Sequence, residues 1–146
     1  MEFEINPPLG TAFSTWRRGK PVISPDGRFI AFSAQGLVTE QLWVQPLDDV
    51  QQPRLLAGSE DGQELFWSPE NEQVACTSED VVRRVDVTGG TATLLTEKFG
   101  VGGTWNRAGD VLLSLIWEPI YQTSGVGGGR TPTPLTTLDA SRQELW

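Results

Sequence analysis

Three copies of one hairpin constrain this chain more than anything else in it. The first is Val22-Ile23-Ser24-Pro25-Asp26-Gly27-Arg28-Phe29-Ile30-Ala31-Phe32. Pro25 presets φ for the first central position of a type I turn, Asp26 tolerates the second, and Gly27 takes the left-handed conformation that closes the loop. Phe66-Trp67-Ser68-Pro69-Glu70-Asn71-Glu72-Gln73-Val74-Ala75-Cys76 repeats it, and Thr104-Trp105-Asn106-Arg107-Ala108-Gly109-Asp110-Val111-Leu112-Leu113 repeats it again. Gly27, Asn71 and Gly109 hold the position of positive φ, and glycine and asparagine are the residues that tolerate it best. A period near forty residues built from short strands is the signature of propeller blades.

The residues between the hairpins supply the other two strands of each unit. Gln41 to Gln45 and Arg54 to Leu56 follow the first hairpin, Val82 to Val87 and Thr93 to Leu95 the second, and Ile120 to Ser124 and Pro134 to Thr136 the third. The fold class is therefore all-β: a partial β-propeller of about three four-stranded antiparallel blades. The expected boundaries are an N-terminal extended segment (1–20), then blades over 21–63, 64–102 and 103–146. Phe3-Glu4-Ile5 is a further short stretch, stopped by Asn6-Pro7-Pro8, and is expected to close the assembly as an outer strand. Ala12 to Trp16 is a second extended piece.

Aligned on the turns, Ile30, Val74 and Leu112 share one register of the second strand and Ala31, Ala75 and Leu113 the other, with Cys76 beside Phe32 and Ser114. Both faces of the strand are apolar, so each blade must be covered on both sides. Trp67 and Trp105, ending their first strands, read as aromatics packed between blades. Three blades leave two uncovered end faces, both expected to be apolar. The simplest closed solution is a homodimer that completes a six-bladed ring.

Chemistry-bearing motifs are sparse. The chain has no histidine, one cysteine and a net charge of −8, and only residues 1–20 are net positive. Without histidine there is no Ser-His-Asp triad and no customary metal ligand or proton shuttle. Gly125 to Thr131 lacks the first glycine and the lysine of a phosphate loop, and Pro132 and Pro134 forbid the helix that loop requires. Cys76 reads as a small buried thiol. Asp26, Glu70 and Asp110 sit where hairpin turns want short polar groups. An acidic body without a basic stripe argues against nucleic acid and against anionic membrane surfaces as partners. No apolar run reaches the length of a membrane span, and without a basic segment and apolar core at the N-terminus no signal peptide is expected in this chain. The expectation is a chain with no enzymatic activity, no catalytic residues, no cofactor and no metal. Its contact points would lie in the blade-to-blade loops around Glu60-Asp61 and Arg142-Gln143.

The repeat Ser24 to Phe32, followed by Leu42 to Asp48, resembles the WD-like repeats of the TolB β-propeller family. It is also similar to the propeller that follows the kinase domain in some bacterial serine/threonine kinases. Phe3 to Thr11, Phe66 to Pro69, Val85 to Gly90, Gly103 to Asn106 and Pro134 to Glu144 extend that resemblance over nearly the whole chain. It implies a propeller that binds a protein or a small ligand, as the sensor or scaffold part of a larger kinase-like polypeptide on the extracytoplasmic side of a membrane. It supplies no catalytic residues. Family members usually have six or more blades, and the third repeat departs from them where Arg107-Ala108 replaces Pro-Asp. Accessory propellers of prolyl-oligopeptidase-type hydrolases carry similar repeats and give the alternative reading. A self-assembling propeller fragment is the third.

Overall fold

A computed structural model describes residues 5–14, 20–48, 52–98, 100–127, 129, 131–139 and 141. Among these residues it is all-β, with thirteen short strands in three antiparallel sheets. In the first, β2 (Val22–Ile23), β3 (Phe29–Gln35), β4 (Glu40–Pro46) and β5 (Arg54–Leu55) follow in order, and β1 (Ala12–Phe13) joins them. The second is β6 (Gln63–Trp67), β7 (Gln73–Ser78), β8 (Val81–Asp86) and β9 (Thr93–Thr96). The third is β10 (Gly102–Trp105), β11 (Asp110–Ser114), β12 (Tyr121–Ser124) and β13 (Thr133–Pro134). These are propeller blades, with β2 beside β6 and β6 beside β10.

The three turns form as their residues dictate. Gly27, Asn71 and Gly109 have φ of 73°, 66° and 88°. The amide of each donates to the carbonyl three residues back, on Ser24, Ser68 and Asn106, at 2.8 to 3.1 Å. Asp26 acts as a turn former: its Oδ1 accepts from the Ser24 hydroxyl at 2.6 Å and the Arg28 amide at 3.0 Å.

The third hairpin departs from the aligned register. Ile23 faces Ile30 and Trp67 faces Val74, but Trp105 faces Val111. The Ser24 and Ser68 amides donate to the carbonyl five residues on, the Asn106 amide to the carbonyl only four on, so the third loop is one residue shorter. Serine hydroxyls accept the amides of Phe29 and Gln73 in the longer loops. In the third, the longer Asn106 side chain accepts from the Asp110 amide at 2.9 Å and bonds the Asp110 carboxylate as well, pulling the strand in early. The structural equivalents are therefore Ile30, Val74 and Val111, and Cys76 answers Phe32 and Leu113.

Two cores lie between blades. Ala31, Leu42, Val44 and Leu56 of the first pack on Leu65, Trp67, Val74, Cys76 and Val85 of the second. The Trp67 indole N–H donates to the Val22 carbonyl at 3.0 Å across that interface, and Phe29 stacks on its ring. Phe66, Ala75, Val82 and Leu95 then pack on Val111 and Leu113 of the third blade, with Trp105 at the margin. Gly103 and Gly125 make room: a Cβ on Gly103 would meet the Phe66 ring at 2.6 Å, and one on Gly125 would run into the Trp105 indole. Two arginines tie the blades laterally, Arg54 Nη1 to the Val87 carbonyl at 3.0 Å and Arg84 Nη1 to the Gly125 carbonyl.

The two outer faces are not alike, which corrects the expectation that both are apolar. The face of the first blade turned away from the second carries Ile30, Phe32 and Ala34, joined by Ile5, Trp43 and Leu47. The N-terminal segment partly covers it, with Phe13 edge-on to Phe32 at 5.4 Å. Phe3 and Glu4 lie outside the described residues, and the strand this segment forms is β1. It runs along the inner edge of β3, pairing with Ala34 and Gln35 where the two-residue β2 leaves that edge open. An outer closing strand is not what the described part provides. The face of the third blade turned away from the second presents Leu112 among Thr104, Asp110, Gln122 and Thr133, and Asp110 Oδ1 accepts from the Gln122 side chain at 2.9 Å. Among the described residues, no helix is long and apolar enough to cross a membrane.

Candidate functional site: a loop face along the blades

An antiparallel blade sends its second-to-third-strand loop and its link to the next blade from the same end. On this end lie the β3–β4 loop, the β5–β6 link, the β7–β8 turn, the β9–β10 link and the β11–β12 loop. Local hydrogen bonds knit them together. The Asp61 amide donates to the Glu40 carbonyl at 2.8 Å, and the Ser78 hydroxyl to the Glu60 carbonyl at 2.8 Å. Buried Ser59 accepts from the Leu42 amide at 3.0 Å, which anchors the β5–β6 link under β4.

Glu60 and Asp61 are thereby placed on this face, both exposed. Asp61 has φ of 54°, a left-handed backbone that aspartate tolerates better than most residues other than glycine. Arg142 and Gln143 lie outside the described residues. Glu79, at φ 55°, and Asp80 form the neighbouring turn, so acids recur along the face.

Sequence reasoning missed the features at the far end. Between the second and third blades runs a groove of about 300 Å³ lined by Asp80, Glu97, Lys98, Leu115, Ile116 and Glu118. Lys98 Nζ is 2.7 Å from Glu118 Oε2 and 4.0 Å from the Tyr121 ring centroid, and the Tyr121 hydroxyl donates to the same carboxylate oxygen at 2.9 Å. The bond from Glu118 holds the Lys98 ammonium above its ordinary pKa, and the bond from Lys98 holds the Glu118 carboxyl below its own. Both groups stay charged across the physiological range, so this cluster is a standing ion pair rather than a proton-exchanging one. Beside it Ile116, Trp117 and Ile120 are 53%, 66% and 42% exposed. Trp117 stands at φ 59°, a rarely populated conformation for a bulky residue. An aromatic in a strand connection was the one available sequence signal, since loops positioned by a rigid scaffold carry contacts.

The remaining reactive group is elsewhere. Cys76 is fully buried between the first two blades, and desolvation pushes its thiol up to about 12 against a smaller opposing pull from Arg83. Burial and the raised pKa both work against nucleophilic chemistry at this thiol. Among the described residues, no group of three or more acidic, cysteine or histidine side chains is placed to hold a metal.

No protein-family model and no curated protein matches the chain. Among solved structures it is similar to the crystal structure of TolB from Acinetobacter baumannii, at a TM-score of 0.59 and 21% identity, over 83% of this chain and 33% of TolB. It thus spans about a third of the length of that neighbour. The likeness rests on blades rather than on residues, and what it shows is the fold, a β-propeller.

Proposed function

We propose that this chain is a non-catalytic propeller module that binds a partner through its loops, as the sensor or scaffold part of a larger bacterial kinase-like protein on the extracytoplasmic side of a membrane. The observation that carries the binding reading is the loop face itself. Rigid blades hold an exposed Trp117 and a groove between blades two and three, while Cys76 is protonated and sealed away. The kinase setting rests on the sequence resemblance, which runs through the turns and the Thr137 to Glu144 tail.

Purified chain should give no turnover of ester, peptide or nucleoside triphosphate substrates. Turnover that survives repurification and falls when an acidic loop residue is replaced would overturn the reading. Gene context tests the setting: a kinase domain and membrane span upstream supports it, and an α/β-hydrolase domain downstream supports the accessory-propeller alternative instead. Two copies would complete a six-bladed ring by setting the outer face of each third blade against the outer face of the other copy's first blade.

A further inference from the structure

We infer that the blade-three end of the loop face docks a polypeptide segment carrying an aromatic or aliphatic anchor flanked by lysine or arginine. This rests on the binding-module reading and names its partner by chemistry. Ile116, Trp117 and Ile120 leave large apolar area in water on one short loop, the kind of exposed patch that marks a contact surface. The Ile120 carbonyl accepts from the Leu135 amide at 2.7 Å, so the patch continues onto Leu135, itself 54% exposed. Tryptophan is enriched among the residues that dominate binding energy, because a rigid aromatic offers much area at small entropic cost.

Charge selects the occupant. The groove beside Trp117 is lined by Asp80, Glu97 and Glu118, and the cation among its lining residues, Lys98, already pairs with Glu118. Glu60, Asp61 and Glu79 extend the negative field along the same end of the blades. A basic segment entering here is attracted from a distance and finds acids at the rim. A nucleic acid is repelled. A second copy of this chain would bring its own net charge of −8 against the same acids. An apolar anchor between basic residues satisfies both halves of the surface.

The test is selection of a random dodecapeptide library on the full chain at low salt. Clones with basic residues around an aromatic or aliphatic residue should be enriched. Synthesised peptides from them should lose roughly tenfold or more in affinity on Trp117→Ala, and again on Asp80→Lys with Glu97→Lys, and should weaken as salt is raised. Circular dichroism and urea midpoints of these exposed variants should match the parent. Enriched peptides that are acidic or uncharged, or that bind the variants as well as the parent, overturn this inference and leave the binding-module reading standing. A library that yields no binder overturns both.

Discussion

Leu112 and Leu113 are adjacent, identical in chemistry and opposite in fate, and replacing each with alanine tests the structure at its least obvious point. Leu113 is fully buried between the second and third blades, touching the space that Gly103 and Phe66 define. Leu112 is half-buried on the outer face among threonines and a glutamine. Truncating Leu113 removes about three methylene-sized groups at about 0.8 kcal/mol each, and the cavity left between two rigid sheets raises the total to about 3–4 kcal/mol. Truncating Leu112 forfeits only the half of that transfer term that burial had realised, about 1 kcal/mol, and opens no cavity. In urea melts followed by tryptophan fluorescence, a gap near 2 kcal/mol at an m-value of about 1–3 kcal/mol/M separates the two midpoints by roughly 1 M. Equal midpoints, or a larger loss for Leu112→Ala, would mean that the third hairpin keeps the longer loop and that the register described above is wrong.

Two further outcomes follow from buried and turn residues. Asn71 Oδ1 accepts from the Asp26 amide at 2.9 Å, joining the turns of the first two blades. Asn71→Gly should therefore be near neutral, losing an exposed bond while relieving the backbone, whereas Asn71→Val should cost about 1–2 kcal/mol through its β-branched clash at positive φ. Cys76 should resist a soluble disulfide reagent in the native state and react only on unfolding. Its thiol is raised to about 12 when folded, so above pH 9 the unfolded chain sheds the proton first and stability falls as pH climbs toward 12. The slope should approach 1.4 kcal/mol per pH unit at about 25 °C, and Cys76→Ala should flatten that alkaline limb. An unchanged limb in the variant would mean that the thiol is already ionised or exposed when folded.

The blades were legible because their turns leave little choice. Positive φ at Gly27, Asn71 and Gly109 is a steric demand that few residues meet, so three such sites at similar spacing fix the hairpins. The slip in the third hairpin was silent because Leu112 and Leu113 are both leucine, and either register puts an apolar side chain on each face. The clue lay upstream, where Asn106-Arg107-Ala108 stands in place of Ser24-Pro25-Asp26 and Ser68-Pro69-Glu70: an asparagine side chain spans further than a serine hydroxyl and closes a tighter loop. The difference between the outer faces was hidden for another reason. It depends on the third strand, where Gln122 stands in register with Leu112, as Arg84 does with Ala75 in the second blade and Val44 with Ala31 in the first. Only Glu60 and Asp61 of the loop face were reached from sequence. Its groove is assembled from residues as far apart as Asp80 and Glu118, and a contact made between blades has no local pattern to read.

Asymmetric ends change what two copies of the chain can do. Closing a six-bladed ring requires the outer face of one third blade to meet the outer face of the partner's first blade. That first-blade face is already occupied in part by Ile5 and by Phe13 on Phe32, so pairing must displace or accommodate the N-terminal segment. The third-blade face offers Leu112 and little other apolar area, which at about 25 cal/mol/Å² is worth a few kcal/mol against association costs of about 4–15 kcal/mol. In its favour, Trp43 Nε1 and Gln45 Oε1 on the first blade are buried with no partner among the described residues, and the polar third-blade face carries groups able to pair with such atoms. We propose that this balance leaves at most weak, concentration-dependent association. Sedimentation at rising concentration should show the 16.0 kDa protomer at low micromolar and a mass moving toward twice that value well above it. Leu112→Asp, placed on the half-exposed face where it leaves the blade cores untouched, should hold the chain at the protomer mass throughout. Self-association that ignores Leu112→Asp would locate the contact on another surface, and a chain that stays at the protomer mass at the highest concentration would mean that the N-terminal cover alone is enough to close the first blade.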